Sequence, residues 1–181
     1  MRLSKIVDSN PISLINLVKR LKNNELINVD KVISNDLSCQ LLTIILNGFP
    51  IGDIITWETN KDMNRLSYII DGHKRINAIK EAFVNGNYYV NIDTHEIGIS
   101  TRRKNAKHLL LKAIMDSVEI YKEAQRIRKK LGEEYKNKTY IIAEKFYNYS
   151  INLSSIYTTD RNMLKKYYST IHPGKELIID S

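Results

Sequence analysis

The chain has 181 residues, with 28 Lys and Arg against 20 Asp and Glu, giving a formal charge of +8. Its length suits one domain that buries roughly 70% of the unfolded surface. A single cysteine, Cys39, excludes an internal disulfide and a Cys-rich zinc module, and 43% hydrophobic with 27% charged residues excludes a disordered chain.

Met1 to Asn10 has no apolar signal-peptide core, and no run of about 18 apolar residues occurs, so a cytoplasmic protein without a membrane segment is expected, in a host cytoplasm if viral. Ile, Lys, Asn and Tyr supply 75 of the 181 residues, a bias expected of an AT-rich genome, cellular or viral.

In chain order, Ser9-Asn10-Pro11 reads as a helix start, with a capping side chain before Pro at the first helical position. Leu14, Leu17, Val18 and Leu21 then form an apolar stripe that Asn23-Asn24 ends. Leu26 to Ile33 reads as a short strand and its exit. Ser34 or Asn35 caps a second helix through Leu37, Leu41, Ile44 and Ile45, which stops at Asn47-Gly48 before Pro50. Ile54 to Trp57 and Leu66 to Ile70 read as strands joined by a polar turn over Asn60 to Asn64.

Lys74 to Phe83 resumes helical spacing at Ile76, Ile79, Ala82 and Phe83. Tyr88 to Ile92 and Ile97 to Ser100 read as two strands joined through Asp93 to Glu96. Ala106, Leu110, Ala113, Ser117, Ile120, Ala124, Ile127 and Leu131 then repeat every seven residues, which predicts one long helix. That face is open to packing on the body of the protein or to a homodimer. A weaker helix is expected over Glu133 to Tyr147, a strand over Ile151 to Ile156, and a short helix over Asp160 to Tyr168, capped by Thr158 or Thr159. Ile171 to Ser181 reads as loop and tail. The fold class is α+β: an α/β part over 1–100 and a basic, mostly helical part over 101–181 docked on it, in a single compact domain.

The charge is uneven. Residues 1–100 hold 11 basic and 11 acidic residues, whereas Thr101 to Gly132 alone carries a net +7. A concentrated positive field attracts polyanions. Arg102, Arg103, Lys104, Lys107, Lys112, Arg126, Arg128, Lys129 and Lys130 are the candidate nucleic-acid-binding residues, with an acidic protein as the other partner the charge fits. On one helix the early and late basic groups stand about 35 Å apart.

Most familiar chemistries are missing. Seven glycines form no Gly-x-Gly-x-x-Gly or Walker array, and His73, His95, His108 and His172 lack paired-ligand spacing, so no metal site is expected. Cys39 and Trp57 fall on apolar elements and read as core.

One constellation remains: Ile69-Ile70-Asp71-Gly72-His73-Lys74-Arg75. An apolar strand meets an Asp-Gly turn, and the first turn of the next helix carries three basic side chains. A helix N-terminus already bears about half a positive charge, so cations there call for an anion. Gly72, His73, Lys74 and Arg75 form a candidate phosphate cradle. Asp71 caps the helix, orients Arg75 or holds a metal that bridges to phosphate; the plain alternative is a local Asp71–Arg75 ion pair.

The segment IIDGHKRINAIKEAF resembles the DGQQR or DGQHR signature of the ParB/sulfiredoxin-like superfamily, and is most like that of the N-terminal domain of GmrSD-type restriction proteins. The preceding LLTIILNGFPIGDIITW, Leu41 to Trp57, is similar to that group's G-x-P-I-P lead-in. YYSTIHPGKEL, Tyr167 to Leu177, is more faintly similar to its F-x-R-x-N-x-G-x-x-L element. Asp71, Gly72 and Arg75 match the signature. His73 stands at a Gln position and Lys74 at a Gln or His position. In the later element Gly174 and Leu177 match, with His172 at the Asn position. The Arg and Trp of the group's N-terminal motif are missing.

The resemblance implies a small mixed sheet with helices and a pocket for nucleotide or phosphate, with NTP and Mg²⁺ as the ligands. It implies Asp71 and Arg75 as catalytic residues if NTP is hydrolysed, and settings such as DNA partition, sulfinic acid repair or restriction and anti-restriction in a phage or mobile element. An HNH nuclease domain has no room in 181 residues, so DNA cleavage is not expected. The alternative reading is a non-catalytic DNA- or protein-binding module that uses the basic helix over 102–130.

Overall fold

The computed structural model of the chain describes residues 7–27, 33–59, 66–100 and 105–177. The main sheet has five strands in the order β1-β8-β3-β4-β2, where β1 is Val7–Ser13, β2 Leu26–Ile27, β3 Ile54–Thr59, β4 Leu66–Asp71 and β8 Ser150–Tyr157. β3 runs parallel to β8 and antiparallel to β4, while β1 is antiparallel to β8 and β2 parallel to β4. A second, antiparallel sheet has the order β6-β5-β7, from β5 Tyr88–Asn91, β6 Ile97–Ile99 and β7 His108–Leu110. The fold is α+β. β8 lies between β1 and β3, so the main sheet draws its strands from both ends of the chain.

One face of the main sheet is covered by α1 (Leu14–Lys22), α2 (Asn35–Leu46), α3 (His73–Ile79, followed by a wider π-helical turn over Lys80–Asn85) and α6 (Glu133–Tyr147). Leu14, Leu17, Leu42, Ile45, Ile54, Ile76, Ile79, Phe83 and Phe146 are all but fully buried there, with Phe83 and Phe146 packed edge to face at 5.3 Å. The opposite face carries a smaller cluster, in which Trp57, Ile70 and Ile156 pack under Leu164 and Tyr168 of α7 (Arg161–Ile171). Trp57 is core, as its place on a strand suggests, and its indole N–H donates to the Thr158 carbonyl at 2.9 Å. Cys39 is half-buried, and burial, with Asp36 adding to it, pushes its thiol pKa up, away from a reactive thiolate.

Three expectations are corrected. Ser9-Asn10-Pro11 does not start a helix: it lies inside β1, and Ser13 caps α1. β1 is an edge strand, where proline's missing N–H costs no ladder bond. The seven-residue repeat does not make one helix. Its early part enters β7, where Leu109 pairs with Val90, and the rest divides into α4 (Leu111–Ile114) and α5 (Ser117–Leu131).

Asp116 sets that break, because its carboxylate accepts from the Val118 and Glu119 amides at 2.9 and 3.0 Å and starts a new helix. The two basic ends therefore do not share one rod. Ala113, Ile120, Ala124 and Ile127 of the repeat are buried within the chain, which leaves them no part in a dimer face. Finally, Asp160 rather than Thr158 or Thr159 caps α7, accepting from the amides of Asn162 and Met163. The expected turn over 60–64 and most of the exit after Ile27 lie outside the described residues.

Candidate functional site

The Asp71-Gly72 turn is built by a change of backbone hand. β4 ends at Asp71, opposite Ile55 of β3, where the register shifts between Ile55 and Thr56. Gly72 then takes φ 92°, the left-handed region that side chains disfavour. A Cβ there would lie 3.1 Å from Ile54 Cγ1 and 3.3 Å from Arg75 Nη1. α3 starts immediately afterwards, and no side chain caps it, so Asp71 does not serve as its N-cap.

Arg75 comes from the first turn of α3. Its Nη1 donates to the Asp53 carbonyl at 2.7 Å and lies 3.8 Å from Asp71 Oδ2. Its outer face lies on Gly52, where an added Cβ would stand 3.2 Å from Nη2. Gly52 has φ 83°, so the guanidinium is placed between two left-handed glycines. Nε and Nη2 have no acceptor among the described residues. The side chain is 28% exposed, so these donors are within reach of a solute. Lys74 is exposed beside it. His73 is half-buried and has an interaction partner of its own.

Two further segments close on the same point. His172, the residue after α7, places Nε2 3.5 Å from Asp71 Oδ1, and its ring packs on Tyr168 at 4.6 Å between centroids. Asn152 of β8 donates to Asp53 Oδ1 at 3.2 Å. The turn thus gathers Gly52 and Asp53 from the β3 approach, Asp71 and Arg75 from the β4–α3 junction, Asn152 from β8 and His172 from the end of α7. Sequence reasoning had not assigned Gly52, Asp53 or Asn152 to the site, and His172 entered it only as a position in the faint C-terminal element. The Gly52-Asp53 step inside the lead-in was the available signal; Asn152 gave none.

The basic residues of 101–132 do not form one uniform surface. Lys107 pairs with Asp93 at 2.5 Å, and with Lys138 it flanks the Tyr135 ring, whose hydroxyl donates to Asp93 at 3.1 Å. These bonds hold the Asp93 carboxyl below its ordinary pKa, the Lys107 bond first, and push the Lys107 ammonium above its own. Arg126 is half-buried, donating to the His108 carbonyl at 2.9 Å and pairing with Glu123 at 3.0 Å. Arg128 pairs with Glu133. Lys112, Lys129 and Lys130 are exposed and have no acidic partner among the described residues. Arg102, Arg103 and Lys104 lie outside the described residues.

Elsewhere a groove of about 620 Å³ runs between the loop after α2 and the end of α6, lined by Asn47, Gly48, Pro50, Ile141, Glu144 and Asn148 among others; it is separate from Arg75. Among the described residues no cluster of three or more His, Cys, Asp and Glu is arranged to hold a metal, and no helix is long and apolar enough to cross a membrane. No family profile matches the chain, and no curated protein matches it.

Proposed function

We propose that the protein binds the phosphate of a nucleotide at the turn from Gly72 to Arg75 and acts in association with nucleic acid. The observation that carries this reading is the state of Arg75. One nitrogen is fixed by the Asp53 carbonyl, two glycines shape the space around the guanidinium, and Nε and Nη2 have no acceptor among the described residues. A guanidinium held this way offers a planar pair of donors that fits two phosphate oxygens. The exposed Lys74 adds positive charge beside it. The likeness of Asp71, Gly72 and Arg75 to the ParB/sulfiredoxin-like signature is in keeping with this.

Mg²⁺, which that likeness implies, finds no cluster of three or more protein ligands among the described residues and would depend on its nucleotide for binding. Asp71 and Asp53 are the carboxylates at hand, and the ion would neutralise phosphate charge. Hydrolysis of the nucleotide would rest on the charge stabilisation that Arg75 and Lys74 supply. The nucleic-acid side of the proposal rests on Lys112, Lys129 and Lys130, the cations of 105–132 that are exposed and unpaired among the described residues.

The test is thermal unfolding at millimolar ATP or GTP with Mg²⁺. A ligand that binds only the folded state raises its melting temperature. The wild type is expected to rise and Arg75→Ala to stay at its ligand-free value. An unchanged wild-type melt, or an equal rise in both proteins, would overturn the proposal.

A further inference from the structure

We propose that His172 is a positioning residue of this site, holding the Asp71 carboxylate away from Arg75 so that the guanidinium stays available to phosphate. The proposal rests on the phosphate-binding reading above and assigns the end of α7 a part in it.

Asp71 is a difficulty for any anion site at this turn. It is a like charge, and at four residues' spacing from Arg75 it is also a rival acceptor for the same donors. A relaxed Arg–carboxylate pair closes to about 2.8 Å and often engages both oxygens. Here the separation, from Nη1 to Oδ2, is 3.8 Å. The other oxygen, Oδ1, faces His172 Nε2 at 3.5 Å. The carboxylate is therefore shared between two cationic or donor groups and closes fully on neither.

His172 is placed to hold its ground in this contest. Its amide donates to the Tyr168 carbonyl at 2.8 Å, and its carbonyl accepts from the Lys175 amide at 3.1 Å. Its ring lies against Tyr168, which is 6% exposed, and Ile171 and Leu177 pack into the same cluster beneath α7. Nε2 is shielded from water and makes no hydrogen bond among the described residues, and the charged group it faces there is Asp71 Oδ1 at 3.5 Å. A long side chain on an exposed loop would follow the carboxylate as it moved; an imidazole packed on a helix end does not.

Removing the imidazole frees Oδ1. Asp71 then closes on Arg75 as an intramolecular competitor, and phosphate must displace it. Removing the charge of Asp71 as well removes the competitor. The two substitutions should therefore not add: the second should cancel the first.

The experiment is calorimetric titration of inorganic phosphate into the wild type, His172→Ala, His172→Gln and the double variant His172→Ala/Asp71→Asn, with Arg75→Ala as the control for the site. His172→Ala is expected to weaken binding about tenfold, a change of about 1.4 kcal/mol. His172→Gln, whose amide N–H reaches as far as Nε2, is expected to bind within about twofold of the wild type. The double variant is expected to regain most of the lost affinity. A role limited to packing α7 would give a loss that Asp71→Asn does not repair.

If His172→Ala does not fold, His172→Leu, which fills the same space without an N–H, carries the test: a loss that Asp71→Asn repairs supports the proposal, and no loss, or a loss that Asp71→Asn leaves in place, overturns it. Phosphate binding that needs Arg75 but is indifferent to His172, or a His172→Ala defect that persists in the double variant, overturns this inference alone. No phosphate binding by the wild type, or binding untouched by Arg75→Ala, overturns the reading of the site and this inference with it.

Discussion

Arg75 is held by residues whose value lies in what they lack. Gly52 has no side chain to occupy the place where Nη2 lies, and its φ of 83° is costly for any other residue. Gly52→Ala is expected to lower folding stability by about 1–2 kcal/mol in urea unfolding and to weaken phosphate binding as well, because the guanidinium must move. Gly72→Ala is expected to cost more, since its Cβ also meets the Ile54 side chain at 3.1 Å and backbone at 3.3 Å.

Away from the site, Asp93 joins β5 to α6 through Lys107, Tyr135 and Lys138. Its carboxyl is held below the ordinary value, so the stabilisation is present above the unfolded value of about 3.9 and lost as pH falls through the folded one. The Lys107 ammonium is held above its ordinary value, so its share is lost only as pH rises beyond about 10.4 through the folded value. Urea midpoints of the wild type and Asp93→Asn should differ at pH 7 and draw together as the pH falls through the lowered folded value of Asp93.

At the scale of elements, sequence patterning located most strands and helices but misjudged how some of them join. The strand before the Asp-Gly turn and the helix after it were legible because apolar residues flank it on both sides, and Glu133–Tyr147 was legible as a helix from end to end. The heptad over 106–131 misled because Ala113 of α4 and Ile120, Ala124 and Ile127 of α5 reach the interior of the molecule at the same period, although the chain breaks at Met115-Asp116. Ser9-Asn10-Pro11 suits a helix start and an edge strand equally, and only pairing with Ser154, Leu153 and Asn152 decides between them.

The partners of the site were hidden for a related reason. His172 meets Asp71, and Asn152 meets Asp53, across about a hundred residues of chain, a closure that no local pattern encodes. α7 brings His172 to Asp71, so the packing of α7 matters to the site. Leu164, fully buried against Trp57 and Ile156, anchors that helix. Leu164→Ala is expected to cost about 2–5 kcal/mol in urea unfolding.

For the molecule as a whole, the charge of +8 is distributed by use rather than spread over the surface. Arg126 sits on the His108 carbonyl and Glu123, and Lys107 is paired with Asp93; these are structural. Charge reversal at Arg126 is expected to lower the melting temperature, whereas Lys129→Glu with Lys130→Glu should leave it unchanged. If DNA contacts that surface, the lysine pair should instead reduce the slope of log affinity against log salt by roughly 1–2, read by fluorescence anisotropy across a salt series. Among the described residues, Lys112, Lys129 and Lys130 remain exposed without an acidic partner, and Lys74 and Arg75 form a separate cationic turn where β3, β4, β8 and α7 meet.

The claim that this turn receives phosphate is tested most directly by calorimetric titration of ATP with Mg²⁺ into the wild type and Arg75→Ala side by side. The expected result is a saturable binding heat in the wild type that disappears with Arg75; no heat in the wild type, or the same isotherm in both, would contradict the account.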